Sequence, residues 1–255
     1  MRWVVFNQKG GVGKSTLTAN LAAIGASKGK QVLLIDLDPQ ANATHYLTDQ
    51  PLEAKRTIYG FFHGMLGLGL FGEDMRSFIH PTALENLELL PAHPEMEDLQ
   101  IKLESRYKMY KLRDALLKMP EYEEVWIDTP PALGFYTRSA LIAAQQCLIP
   151  FDCDAFAKKA LDQLLSNVTE LRNDHNEDLR IAGIVVNQFQ SQAKLPAQTI
   201  QALEDQGHHV LRPFIPQTVK VRESHELRRP VVTLFPQHKV SRCLLDLYDH
   251  LSSLS

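Results

Sequence analysis

Cysteine is scarce in this chain and does not cluster: Cys147, Cys153 and Cys243 are the only three in 255 residues. Three scattered thiols build neither a disulfide scaffold nor a four-ligand metal cluster, and they suit buried or half-buried positions in a reducing compartment. Long apolar runs are missing as well. No stretch approaches the roughly 20 residues of a membrane span. No secretory leader is expected either, because the short apolar opening runs straight into glycines. Charge of one sign is not in excess: 27 Lys and Arg stand against 30 Asp and Glu, a formal charge of −3. That argues against uniform affinity for polyanions, although a local basic patch can still bind phosphates. There is no convincing internal repeat and no linker that would cut off a second domain. The expectation is one cytoplasmic α/β domain spanning residues 1–255.

What is present alternates. Strands are expected at 3–6, 31–38, 87–92, 123–131, 146–151, 181–189 and 210–216. Helices are expected at 15–29, 99–119, 137–145, 158–173, 195–207 and 238–253. Strand followed by helix, many times over, predicts a mostly parallel sheet flanked by helices on both faces. The region 57–119 is the irregular part. Its apolar, glycine-rich piece "TIYGFFHGMLGLGLFGEDM" (57–75) suits a mobile surface element, a partner-binding patch or a packed helix with a loose end; the packed reading is preferred.

Chemistry concentrates in "VVFNQKGGVGKST", residues 4–16. Gly10, Gly11 and Gly13, with Val12 between them, permit tight turns whose N–H groups converge on phosphate oxygens. The helix beginning near Ser15 and Thr16 adds its positive end to the same anion. Lys14 supplies a point charge to the outer phosphates, and Ser15 suits a Mg²⁺ ligand. The usual phosphate loop carries a glycine where this chain has Gln8, and next to Gln8 stands a second lysine, Lys9. A side chain leaving the loop there could cross an interface and meet the phosphates of a facing subunit, as arginine fingers do. Carboxylates follow two other strands. "LLIDLDPQANAT" places Asp36 and Asp38 on one side if the strand continues, and "VWIDTPP" presents Asp128. Asp128 suits a second-sphere or water-mediated metal contact, Asp36 support of the metal shell, and Asp38 orientation or activation of the attacking water.

Taken together, "KGGVGKST", "DLDPQANAT", "IDTPPALG", "TRSALIAAQQCLIPF", "GIVVNQF" and "FIPQTVKVRESHELRRPV" resemble the ParA/MinD family of deviant Walker A P-loop ATPases, closest to the short ParA/Soj branch. The resemblance covers nearly the whole chain and is weakest at 57–119. It implies ATP or ADP with Mg²⁺ as cofactors, and an ATP-sandwich homodimer in which Lys9 contacts the nucleotide of the opposite subunit. It assigns Asp38 to catalysis, Asp128 to the Walker B position, Asn187 to the adenine, and the backbone around Pro216 to the base pocket. It further implies nonspecific DNA binding by the ATP-bound dimer, a nucleoid association through that DNA, and a ParB-like partner that stimulates slow hydrolysis.

Lys220, Arg222, Arg228 and Arg229 crowd one late segment and could contribute to a DNA surface; a solvated face interrupted by Glu223 and Glu226 is the alternative. Here "RESHELRRP" (222–230) replaces the family's usual "SEAPSHGKP", which marks a divergent member and leaves cargo and partner open. A MinD-like membrane helix is not expected at the tail, where Asp246 and Asp249 oppose attraction to anionic lipid. An additional N-terminal DNA-binding domain is not expected, since the first strand starts at residue 3. A ParA-like protein positioning a chemotaxis cluster, carboxysome or envelope complex is the alternative function. A metabolic amidoligase would show an added substrate domain and a metal-cluster carrier a CxxC pair, and the chain has neither.

Overall fold

The computed structural model describes residues 1–67, 74–153, 157–190, 192 and 194–254. Eight strands form one sheet: β1 (Arg2–Val5), β2 (Val32–Asp36), β3 (His80–Pro81), β4 (Leu87–Leu90), β5 (Glu124–Asp128), β6 (Gln146–Phe151), β7 (Arg180–Val186) and β8 (Val210–Leu211). They lie in the order β3-β4-β2-β5-β1-β6-β7-β8, and every pairing is parallel except β3 with β4. The expected α/β class is thus found.

Both faces of the sheet are covered, which is why the strands read as unbroken apolar runs. Alternation along β1 sends Val4 into one core layer and Trp3 and Val5 into the other. Trp3 pairs in register with Trp126 of β5, and their rings stack at 5.1 Å. The helix Lys14–Ser27 and the closing helix Lys239–Ser252 pack on the Trp3 side, while Phe135–Ala143 packs on the Val4 side. In the closing helix Val240, Leu244, Leu247, Tyr248 and Leu251 are buried, so its apolar stripe is core. Among the described residues no helix is long and apolar enough to cross a membrane.

Three expectations need correction. The helix expected at 99–119 is instead Met96–Ser105, a tight turn at Lys108–Tyr110, and Lys111–Leu116. Tyr107 is left-handed at φ 53°, which breaks the run. The break has a packing reason: Leu103 and Leu112 are both fully buried, yet their spacing in one continuous helix is about two and a half turns, which would face them oppositely. The strand expected at 210–216 ends at Leu211. Pro213 lacks an N–H to continue a ladder, and pairing resumes only as a bridge between Phe189 and Pro216. The strand expected to run to Asp38 ends at Asp36. Within 57–75, Ile58–Gly64 is a helix with Ile58, Phe61 and Phe62 buried, as the packed reading requires; residues 68–73 lie outside the described residues.

Candidate nucleotide site

All the function-bearing loops leave the same end of the sheet, the carboxyl ends of β1, β2, β5, β6 and β7, where the strand order reverses around β1. The loop after β1 is shaped by two glycines in the left-handed region, Gly11 at φ 78° and Gly13 at φ 88°. Gly13 caps the helix Lys14–Ser27, and its carbonyl accepts the Leu17 N–H at 2.9 Å. Side chains from the end of β7 hold the loop from outside. Asn187 Nδ2 donates to the Val12 carbonyl at 2.8 Å, and Gln188 Nε2 donates to the Gly11 carbonyl at 2.7 Å. With these carbonyls tied back, the loop N–H groups are left to face an anion.

The two lysines part company. Lys14 is 6 % exposed and turns inward, its Nζ donating to the Lys9 carbonyl at 3.0 Å. Burial pulls its pKa down, while the negative charges of Asp128 and Asp38 pull it back up. The Lys9 ammonium instead leaves the loop and meets Asp152, just past β6, at 2.6 Å, with its side chain 37 % exposed. Asn7 braces this start of the loop: its Oδ1 accepts the Lys9 N–H at 2.9 Å and its Nδ2 donates to the Pro150 carbonyl at 2.7 Å.

Asp36 and Asp128 are register partners on adjacent parallel strands and therefore share a face. Asp36 is fully engaged. It accepts the Thr44 N–H and hydroxyl, each at 2.8 Å, and the Asp38 N–H at 3.0 Å. This last bond, rather than strand alternation, brings Asp38 alongside. Burial pushes Asp36 up to about 7 against these donors. Asp38, 5 % exposed, accepts the Gln40 N–H at 3.0 Å; burial raises its pKa, and the Lys14 charge partly offsets this.

Asp128 is the exception. Its carboxylate is wholly buried, and neither oxygen has a hydrogen-bond donor. Ser15 lies close enough for its hydroxyl to favour the charged form, but burial and the neighbouring Asp36 dominate and hold the pKa well above the ordinary value. A buried carboxylate beside a hydroxyl supplies oxygen donors of the kind a hard cation such as Mg²⁺ takes, and the inward lysine suits the phosphates instead.

Beyond Gly13 a cleft of ≈ 280 Å³ opens, bordered by Thr16, Asn187, Pro216, Gln217 and Arg222 among others. Asn187 and Pro216 thus line one cavity next to the phosphate loop, as an adenine pocket needs. The four late basic residues do not gather there or anywhere. Lys220 is bonded to Glu223 at 2.6 Å and lies over the Phe235 ring, whereas Arg228 and Arg229 border a separate cleft near Thr48–Leu52.

Sequence reasoning missed Asp152, Asn7 and His225. The first could have been found by the rule that singled out Asp128, a carboxylate following an apolar strand. His225 gave no signal. Its Nε2 lies 2.9 Å from the Thr16 hydroxyl, and its ring stacks on Tyr46 at 3.9 Å.

Fold and site together define a P-loop nucleotide-hydrolysing enzyme of the parallel α/β class. Comparison narrows this. A family model described as an AAA domain matches residues 2–181. The chromosome partitioning protein ParA of Myxococcus xanthus (strain DK1622) is 34 % identical over 233 residues, 89 % of this chain and 79 % of that protein. The sporulation initiation inhibitor protein Soj of Bacillus subtilis (strain 168) is 32 % identical over 95 % of this chain and 94 % of its own. Among solved structures, cobyrinic acid a,c-diamide synthase from Mycobacterium smegmatis with bound ADP and magnesium matches with a TM-score of 0.83 at 26 % identity, covering 97 % of this chain and 92 % of that one. The chain belongs to the ParA/Soj family. It is a partitioning or positioning ATPase, of a family whose cofactors are ATP or ADP with Mg²⁺.

Proposed function

We propose that this chain is an ATP-driven dimerisation switch that partitions a chromosome or plasmid, binding DNA nonspecifically in its Mg²⁺-dependent ATP-bound dimer. The observation that carries this reading is the division between the two loop lysines. Lys14 is buried and turned into its own loop, whereas the Lys9 ammonium lies outside it on Asp152. A cation so disposed is suited to reaching the phosphates of a facing subunit. Releasing it from Asp152 is cheap, because an ion pair this exposed contributes at most about 1 kcal/mol.

Hydrolysis is then in-line attack by water on the terminal phosphoryl group of ATP. Asp38 orients the water, and Lys14 together with Lys9 of the partner subunit stabilises the charge that develops on the transferred group. Ser15 and Asp128 would hold Mg²⁺, which would lower the charge on the phosphate oxygens, and Asp36 would support that shell by fixing Asp38 and Thr44. The backbone of Gly10, Gly11, Val12 and Gly13 and the hydroxyl of Thr16 cradle the phosphates, while Asn187 and Pro216 take the base. A ParB-like partner accelerates a slow basal rate, and the dimer resides in the cytoplasm on the nucleoid.

The test is light scattering combined with DNA titration at two salt concentrations, with ATP, ADP or no nucleotide, on the wild type and Lys9→Ala. ATP-dependent dimers with salt-sensitive DNA binding, both lost in Lys9→Ala, are expected. Dimers that form equally well in Lys9→Ala would overturn the switch. A second reading, positioning of a non-DNA cargo such as a chemotaxis cluster, carboxysome or envelope complex, is favoured by the net charge of −3 and by the dispersal of the late basic residues. Dimers without DNA binding would select it.

A further inference from the structure

The helix Val219–Glu226 begins immediately after the Pro216 segment, with the Thr218 hydroxyl accepting the Lys220 N–H as its cap. Its faces can be told apart by their contacts. Lys220 and Glu223, one turn apart, are bonded to each other at 2.6 Å, and Lys220 lies over Phe235. Arg222 and His225, also one turn apart, share a different face. That face is turned toward the phosphate loop, because His225 Nε2 is 2.9 Å from the Thr16 hydroxyl at the start of the loop helix. Arg222 borders the same cleft as Gly13, Thr16, Asn187 and Pro216. It is exposed there and has no hydrogen-bond or ion-pair partner among the described residues.

We propose that Arg222 is a nucleotide-binding residue, whose guanidinium closes over the sugar–phosphate part of the nucleotide between the base end of the cleft and the glycine loop. The inference rests on the nucleotide reading of this cleft. An unpaired guanidinium at the rim of a cleft that runs into an anion-binding loop adds a charge-assisted contact to phosphate oxygen. Its place on the wall of the cleft that Thr16 also lines puts that contact at the sugar-proximal phosphate, away from the terminal one that Lys14 serves. Arg222 therefore leaves the group of residues available to DNA.

Calorimetric titration of ADP with Mg²⁺ into the wild type, Arg222→Ala, Arg222→Lys, Lys220→Ala and Lys14→Ala tests this. Loss of one charge-assisted hydrogen bond predicts about tenfold weaker ADP binding by Arg222→Ala. The same factor is expected for a non-hydrolysable ATP analogue, since the terminal phosphate is not involved. Arg222→Lys should recover part of the loss, and Lys220→Ala should stay within about twofold of wild type. Wild-type ADP affinity in Arg222→Ala overturns the inference while leaving the site intact. If the wild type binds ADP no better than Lys14→Ala, the nucleotide reading itself falls, and this assignment with it.

Discussion

Replacing Gly13 with alanine attacks the loop at its tightest point. A Cβ built there would lie 2.2 Å from Asn187 Nδ2, well inside any real contact, on a backbone at φ 88°. Two losses follow. Holding an L-residue in the left-handed region costs about 1–2 kcal/mol. Asn187 must also swing away, and it gives up its 2.8 Å bond to the Val12 carbonyl, a buried bond worth about 1 kcal/mol. The expected destabilisation of Gly13→Ala is the sum, about 2–3 kcal/mol. Urea unfolding at equilibrium measures it, and the double variant Gly13→Ala/Asn187→Ala separates the two parts. The bond to Val12 is lost in either single variant and cannot be lost twice, so the double variant should be about as destabilised as Gly13→Ala alone and less than the sum of its singles. Additive singles would refute the steric argument, and a Gly13→Ala chain as stable as wild type would refute the whole account. ADP affinity should fall in both variants containing alanine at position 13, because the cap that orients the loop N–H groups is distorted either way.

Two further outcomes follow from the same geometry. Asp128→Asn replaces a wholly buried carboxyl, whose charged form burial and Asp36 disfavour, with a neutral amide, so the nucleotide-free chain should melt no lower than wild type while losing ATP hydrolysis; a lower melting temperature would refute the cost assigned to the buried charge. Burial holds His225 below its ordinary pKa of 6.5, so the folded chain keeps the ring neutral where the unfolded chain takes up a proton. Its contribution is complete above that value and is lost as pH falls through the lower folded pKa. Melting curves recorded from about pH 8 to about pH 5 should decline more steeply for wild type than for His225→Gln, and parallel declines would show that the imidazole does not titrate on unfolding.

The elements legible in the sequence were those whose chemistry is local. Glycines at 10, 11 and 13 before a lysine and a helix have few other meanings, and Asp36 and Asp128 ended apolar runs that had to be buried strands. What escaped depends on tertiary partners. The run 99–119 has the composition of one long charged helix, but Leu103 and Leu112 would face opposite sides of it, and the shared core that both enter requires the left-handed turn at Tyr107. Val210 through Pro216 is apolar enough for a strand, but a proline at position 213 stops the ladder. The four basic residues between 220 and 229 look like one patch on paper. A helix and a left-handed residue at Arg228 distribute them among an internal ion pair and two different clefts. Asn187 was singled out through the resemblance, but its bond to the Val12 carbonyl, far away in the chain, was not legible until β7 brought the two together.

The tethering of the Val12 and Gly11 carbonyls by Asn187 and Gln188 has a thermodynamic consequence. A cradle already folded gives up little conformational entropy when it closes on a ligand, so most of the intrinsic attraction for phosphate appears as affinity. The groups common to ADP and ATP meet this rigid portion and are held alike. Under the proposed switch, discrimination between its two states must then arise beyond the tethered carbonyls: at Asp38, which accepts the Gln40 N–H just past the end of β2, and at the Lys9 ammonium paired with Asp152. The tethered cradle would then set how long any nucleotide stays, and these two side chains which one is noticed.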